Sequence, residues 1–279
     1  MNHYSIVASD LDGTLLNNLS KVSQENLEAI QALRKLGIYF VPSTGRTFNE
    51  IPMPIRNNDN IRYYIHSNGA VVFDKLEGKR ISNCISNKTG CKILDLIGKF
   101  EAEINIRHNG QLIIDSVMRD KEYYDYHNVI EAHIDCINNY STRVGSFADY
   151  VHSAEDIEVF TAFFHKYSDK MYCKKRLEEI PELRVVEASE YNIEIFNVHA
   201  GKGNALYALA DMLNVARNET ISIGDSDNDS AITQAAGLGL AVSNACDRLK
   251  ALADQIICSN EEHAVSYVLS HYFSNVKGF

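Results

Sequence analysis

Two acidic motifs carry the most chemistry in this chain. Asp10-Leu11-Asp12-Gly13-Thr14-Leu15 sets two carboxylates two positions apart, with a glycine beside the second. A turn at Gly13 would let them converge, and like charges that close resist joint ionisation. Such a pair favours a bound cation or one carboxyl kept protonated. The first suits a carboxylate nucleophile beside a metal, the second an acid that protonates a leaving group. Gly224-Asp225-Ser226-Asp227-Asn228-Asp229 places four acid or amide side chains within five positions, an oxygen-rich set suited to a hard divalent cation. An EF-hand loop is excluded. Counted from Asp225, the glycine and glutamate it needs at positions six and twelve are Ser230 and Ala236.

Two smaller elements bear on an anion. Thr44-Gly45-Arg46 offers a hydroxyl and a backbone N–H, and Lys202, between Gly201 and Gly203, could present an ammonium at a helix start. Alone, the first reads as an ordinary turn and the second as a solvated lysine. Their weight comes from occurring together with the acidic motifs.

The elements that position these groups are legible as a rhythm. Tyr4–Ser9 reads as a buried strand, and Ser23 as the N-cap of a helix with apolar positions Leu27, Ile30, Leu33 and Leu36, stopped by Gly37. Ile38–Val41 is the next strand and Tyr63–His66 a third, the latter closed by the turn Ser67-Asn68-Gly69. Downstream, Lys202–Asn214 is helical, with Leu206, Leu209 and Leu213 on one face. Thr220–Gly224, Leu240–Val242 and Gln255–Cys258 read as strands. Strands alternating with helices predict an α/β protein with a Rossmann-like parallel sheet, and each motif falls at a strand end or helix start.

The middle reads differently. Residues 83–190 hold longer polar stretches, many tyrosines and hairpin-like material at Ile104–Arg107 and Gln111–Asp115 around His108-Asn109-Gly110. We expect an inserted α+β domain at 83–190 within a core formed by 1–82 and 191–279. The insert carries 13 Lys+Arg and 19 Asp+Glu, a net −6. Its tyrosines, its histidines and the run Lys174-Lys175-Arg176 name no specificity residue.

Composition narrows the function classes. The chain has 279 residues, 45% hydrophobic and 23% charged, as expected of a soluble globular protein. With 27 Lys+Arg against 37 Asp+Glu, the formal charge of −10 argues against nucleic-acid partners. A small phosphorylated ligand is still possible, because a metal or a few donors reverse the field locally. No apolar run is long enough for a membrane span. The opening residues Met1–Ser9 lack a basic run followed by a long apolar one, so no export signal is expected. Six cysteines without a C-x-x-C pair argue for reduced thiols rather than zinc or a disulfide framework. A cytoplasmic protein, monomeric or a weak homodimer, is the expectation.

The order Asp10-x-Asp12-Gly-Thr, Thr44-Gly-Arg, Lys202 and Gly224-Asp-x-x-Asn228-Asp229 resembles the haloacid dehalogenase superfamily of phosphohydrolases. The long insert resembles the α/β cap, of the C2 class, of its Cof-type branch. Ser67-Asn68-Gly69-Ala70 and Ala241-Val242-Ser243-Asn244-Ala245 also resemble that branch. Val242-Ser243 stands where Cof-type proteins often have Met-Gly, and Thr47 where they often have Pro. The resemblance implies a Mg²⁺-dependent phosphatase acting on small phosphorylated metabolites, either sugar phosphates or phosphorylated cofactors. It implies Asp10 as nucleophile and metal ligand, and Asp12 as acid and then base, with its backbone carbonyl on the metal. Asp225 would be the further metal ligand, with Asp229 beside it. Leu11, Thr44, Gly45, Arg46, Lys202 and Asn228 would bind phosphate or substrate. Two alternatives remain at this point: transfer of the phosphoryl group to a second substrate, and a catalytically silent phospho-ligand binder.

Overall fold

The computed structural model describes residues 4–273; Met1–His3, the first part of the stretch read for an export signal, lie outside them. The chain divides into two compact units. One comprises Met1–Arg46, Ile51–Ile81 and Gly201–Phe279, the other Thr47–Glu50 and Ser82–Ala200.

The first unit begins with β1 (Ile6–Ser9), buried at every residue, as a strand covered on both faces requires. In α1 (Gln24–Lys35) the Ser23 hydroxyl accepts the Asn26 N–H at 3.2 Å, the predicted cap. Its buried face is Asn26, Ala29, Ile30 and Leu33, while Leu27 and Leu36 are only half-buried. The face turns because Asn26 is fully used. Its amide donates to Leu15 O at 3.3 Å and accepts from the N–H groups of Val265 and Ser266 at 3.0 and 3.3 Å. A buried amide with its bonds made can occupy a core position that apolar periodicity cannot assign.

The chain continues through β2 (Tyr39–Pro42), the short α2 (Met53–Arg56), β3 (Tyr63–His66), β4 (Val71–Asp74) and β5 (Lys79–Ser82). The predicted strand Tyr63–His66 forms as β3 but does not join the parallel sheet. It pairs antiparallel with β4 in a separate sheet ordered β3-β4-β5, touching β2's continuation through one parallel bridge, Ser43 to Ile65. The reason is the turn. Ser67-Asn68-Gly69, with positive φ at all three residues, reverses the chain at once, whereas a parallel neighbour needs a crossover of a dozen or more residues.

In the second unit, α3 (Asn87–Ile97) precedes the hairpin β6 (Ala102–His108) and β7 (Gln111–Asp115), which turns at Asn109-Gly110 as predicted. Then come α4 (Lys121–Tyr126), α5 (Glu131–Tyr140), β8 (Ser141–Val144), α6 (Phe147–Ser153), β9 (Val159–Phe164), α7 (Tyr167–Glu178), β10 (Leu183–Ser189) and β11 (Asn192–Asn197). They build a six-stranded sheet ordered β10-β11-β9-β6-β7-β8. One face, with Ile106, Phe160, Ala162, Ile193 and Ile195, packs on Ile93, Val151, Cys173 and Leu177 of α3, α6 and α7. Leu112, Ile114 and Phe163 of the opposite face cluster with Tyr124 and Ile137 of α4 and α5. The boundary expected after residue 190 falls instead after Ala200, because β11 pairs with β9 and β10. The alternation of Ile193 and Ile195 with Glu194 is the period of a strand with two unlike faces.

The chain returns to the first unit with α8 (Lys202–Leu213), β12 (Thr220–Gly224), α9 (Ser230–Ala235), β13 (Leu238–Val242), α10 (Asp247–Leu252), β14 (Gln255–Ile257) and α11 (Ala264–Tyr272). The parallel sheet runs β14-β13-β12-β1-β2. Its core gathers Ile6, Ala8 and Val41 with Leu206, Leu209 and Ala210 of α8 and Ile232 of α9. Ser9 lies opposite Ile223 in the register, so β1 and β12 end side by side. Among the described residues, no helix is long and apolar enough to cross a membrane.

Gly69 permits the close approach of the start of α8 to the turn after β3. Its φ is +83°, and a Cβ there would overlap the Gly201 carbonyl just before α8. We expect Gly69→Ala to lower unfolding stability by about 2–4 kcal/mol, measured by urea denaturation, from left-handed strain plus backbone overlap. An unchanged midpoint would mean that the approach is not tight.

Candidate active site

The site begins where β1 and β12 run out. The Asp10 N–H donates to Ile223 O at 2.9 Å, and the Ser9 hydroxyl donates to Asp10 O at 2.8 Å, so the backbone at Asp10 is fixed from both sides. Leu11–Leu15 then makes one irregular turn. The backbone at Asp12 is extended (ψ +125°) and at Gly13 left-handed (φ +72°). Glycine is required there for a second reason. A Cβ would lie 2.5 Å from Asp225 Oδ2.

Lys202 opens α8 and is buried, not solvated. Its Nζ donates to Asp10 Oδ1 at 2.7 Å and to Asp229 Oδ1 at 2.6 Å. Asp229 Oδ2 accepts the N–H groups of Asp225 and Ser226 at 3.1 and 3.3 Å. Both oxygens of Asp229 are thus engaged by the protein. Asp225 is half-buried, and its Oδ1 accepts the Thr14 hydroxyl at 3.4 Å. Carboxylate oxygens of Asp10, Asp225 and Asp229 lie within 4.8 Å of one another.

The charges do not balance by themselves. Burial pushes the Asp10 carboxyl well above the usual carboxylate range, and Asp229 and Asp225 add to this against the attraction of Lys202. Asp225 is raised by its burial and by Asp229. Burial also works against the charge on Lys202, but Asp10 and Asp229 overcome it and hold the ammonium protonated. With every group ionised, three carboxylates and one ammonium sum to −2. A divalent cation cancels that excess, and the donors are all hard oxygens. The residues present therefore fit Mg²⁺.

The two acids of the first motif go separate ways. Asp12 is absent from the carboxylate cluster, because Arg46 competes for it. Arg46 Nε donates to Asp12 Oδ2 at 2.8 Å and Nη2 to Oδ1 at 2.6 Å, a two-pronged pair with the Asp12 side chain 54% exposed. Thr44 is buried, and its hydroxyl accepts the Arg46 N–H at 3.1 Å. Gly45 is pressed by Asn68, whose Oδ1 would stand 3.0 Å from a Cβ at Gly45. Leu11 buries its side chain completely, so only its backbone is available to a ligand. Asn228 is exposed and accepts the Ser226 hydroxyl at 2.8 Å.

Two further residues shape the site without having been singled out for it. Asn244 donates to Gly13 O at 2.8 Å and accepts the Asn260 N–H at 2.9 Å, so it ties the turn after Asp10 to the strand-end loop beyond β13. Asn68, left-handed at φ +53°, holds a buried Oδ1 with no hydrogen-bond partner beside Gly45. Both lie in the segments that resemble the Cof-type branch, 67–70 and 241–245, where the resemblance assigns a role to neither asparagine.

Comparisons with known proteins identify the family of the chain. The family model described as haloacid dehalogenase-like hydrolase matches residues 7–269. Phosphatase YwpJ of Bacillus subtilis (strain 168) is 30% identical over 289 residues, spanning 95% of this chain and 99% of that protein. The 5-amino-6-(5-phospho-D-ribitylamino)uracil phosphatase YitU of the same organism is 28% identical, spanning 96% and 97%. A solved haloacid dehalogenase-like hydrolase from B. subtilis superposes with a TM-score of 0.77 at 29% identity, over 96% of this chain and 99% of that one. One from Bacteroides thetaiotaomicron, 20% identical, shares the fold with a TM-score of 0.81 over 97% and 100%. The chain belongs to the haloacid dehalogenase-like hydrolase family and is one of its phosphatases.

Proposed function

We propose that this phosphatase hydrolyses small phosphorylated metabolites, sugar phosphates or phosphorylated cofactor intermediates, through a phosphoryl group carried on Asp10, with Mg²⁺ as cofactor. The observation that carries this reading is the buried Lys202 clamped between Asp10 and Asp229. It holds one Asp10 oxygen and leaves the other for attack on phosphorus. The relative YitU, a phosphatase of a phosphorylated ribitylamino-uracil, supports the substrate class.

Asp10, Asp225 and the Asp12 backbone carbonyl would hold the Mg²⁺, with Asp229 fixing Asp225 and Lys202 from behind. When bound, the ion neutralises charge on the phosphoryl oxygens. Phosphoryl transfer asks mostly for such neutralisation and for in-line positioning. Lys202 adds a cation that is already in place. Thr44, Asn228 and the backbone N–H groups of Leu11 and Gly45 orient the remaining phosphoryl oxygens. Asp10 attacks phosphorus while Asp12 gives its proton to the departing alcohol. Asp12 then takes a proton from the water that attacks the aspartyl-phosphate, freeing Asp10. Arg46, donating from Nε and Nη2 to the two oxygens of Asp12, sets the direction of that carboxyl.

Asp10→Asn is expected to reduce Mg²⁺-dependent phosphate release by at least ~10³-fold in a chain that circular dichroism shows to be folded. Chelator should silence the wild-type chain and added Mg²⁺ restore it. Undiminished release by the Asn variant would rule out the nucleophile.

A second variant isolates the acid. p-Nitrophenolate leaves without a proton, whereas a sugar alkoxide does not. Asp12→Asn is therefore expected to slow hydrolysis of a hexose phosphate ~10²–10⁴-fold, and formation of the aspartyl-phosphate from p-nitrophenyl phosphate far less. A burst of nitrophenolate followed by a slow phase is the expected trace. Equal losses on both substrates would remove Asp12 from the acid role.

A further inference from the structure

Three asparagine side chains hold carbonyl groups of the loop that follows β1. Asn244 Nδ2 donates to Gly13 O at 2.8 Å, Asn26 Nδ2 to Leu15 O at 3.3 Å and Asn260 Nδ2 to Leu16 O at 3.1 Å. Asp10 O and Leu11 O are taken within the segment, by the Leu15 and Leu16 N–H groups at 3.3 and 2.8 Å. The asparagines come from distant parts of the first unit: α1, the loop after β13 and the loop after β14.

Two of these amides are anchored at their oxygens as well. Asn26 Oδ1 accepts the Val265 and Ser266 N–H groups at the start of α11, at 3.0 and 3.3 Å. Asn244 Oδ1 accepts the Asn260 N–H at 2.9 Å, and Asn260 Nδ2 also reaches Asn18 Oδ1 at 3.2 Å. Asn26 and Asn260 are buried, whereas Asn244 is exposed with both ends of its amide engaged. An amide suits this task. It donates to one backbone, accepts from another and brings no charge toward the carboxylate cluster.

The Asp12 carbonyl is not among the groups so held. Asp12 at φ −73° and ψ +125°, followed by Gly13 at φ +72° and ψ 0°, has the dihedral angles of the centre of a type II turn. A hydrogen bond closing such a turn joins its first and fourth residues, here Leu11 and Thr14, and leaves the carbonyl of the second residue out. Asn244 pins the next carbonyl, Gly13 O, while Asn26 and Asn260 pin the chain just beyond the turn. The Asp12 oxygen therefore keeps one direction before any ion arrives.

We propose that Asn26, Asn244 and Asn260 are positioning residues that hold the Asp12–Gly13 turn ready for Mg²⁺, setting both the affinity for that ion and its preference over Ca²⁺. This rests on the reading in which the Asp12 carbonyl is a metal ligand. Mg²⁺ demands near-octahedral oxygens at about 2.0–2.1 Å, whereas Ca²⁺ accepts less regular contacts at about 2.3–2.6 Å. A carbonyl fixed in advance serves the smaller ion. One that can drift costs the larger ion much less. Asn244 carries the most weight, because it holds Gly13 itself and also steadies Asn260.

Calorimetric titration of the full chain with Mg²⁺, and separately with Ca²⁺, tests this in the absence of substrate and turnover. Asn244 is exposed, so its variants are expected to fold, with circular dichroism as the check. Asn244→Ala is expected to raise the Mg²⁺ Kd ~10-fold or more and the Ca²⁺ Kd less than ~3-fold. Asn244→Asp is the sharper variant. It keeps an acceptor for the Asn260 N–H and adds a negative charge that would draw cations in, yet it turns an oxygen on Gly13 O. It too is expected to bind Mg²⁺ more weakly than wild type. A Mg²⁺ Kd within ~2-fold of wild type in Asn244→Ala, equal losses for the two ions, or tighter Mg²⁺ binding by Asn244→Asp overturns the proposal. A wild-type chain that takes up no Mg²⁺ overturns the cofactor reading and this proposal together, whereas uptake that the variants leave unchanged overturns this proposal alone.

Discussion

A lysine ammonium sealed inside the protein is the constraint around which the first unit is arranged. Lys202 is 2% exposed, and its charge is tolerable only because Asp10 and Asp229 stand within 2.7 Å of it. Breaking a buried pair by removing one partner typically costs about 3–5 kcal/mol, since the other charge is left uncompensated. Three backbone segments must therefore meet: the end of β1, the loop after β12 and the start of α8. Close packing at glycines makes the meeting possible. A Cβ at Gly203 would stand 2.6 Å from Ala231 O, and one at Gly224 would stand 2.6 Å from Asp229 Cβ. The triad leaves carboxylate in excess, and that excess is what invites a divalent cation.

The second unit shows the same physics resolved in two ways. Lys170 is 0% exposed, yet its Nζ is satisfied by Glu187 Oε2 at 2.7 Å and Glu190 O at 2.6 Å, so it serves the packing of α7 on β10. Arg107 is nearly as buried, but its acid contacts are longer, at 3.3 and 3.9 Å, and its Nε points at no acceptor. A satisfied buried charge needs no ligand. A half-satisfied one leaves part of its hydrogen-bonding capacity unused inside the protein.

Much of this was legible from residues that act locally. Ser23 caps α1, Asn109-Gly110 turns the β6–β7 hairpin, and Thr220–Gly224 forms a buried strand with its acidic loop following directly. What escaped depends on partners far along the chain. Asn26 occupies a core face because its amide serves Leu15 and Val265, 11 and 239 residues away. Asp12 turns to Arg46, 34 residues away, where the motif alone suggested a carboxylate pair. β11 joins the sheet of the second unit because β9 and β10 offer it edges, and nothing within Asn192–Asn197 says which sheet will take it. Lys202 looked like a surface lysine, since no local pattern announces that two aspartates from other strands will close over it.

Covalent phosphorylation of Asp10 leaves a signature in the product. The stereochemical course at phosphorus tests it most directly, using a phosphorothioate ester made chiral with oxygen isotopes and hydrolysed in labelled water. Each in-line displacement inverts phosphorus, so attack by Asp10 followed by attack of water on the aspartyl-phosphate predicts net retention. Net inversion would mean that water attacks the substrate in a single step, and would contradict the account.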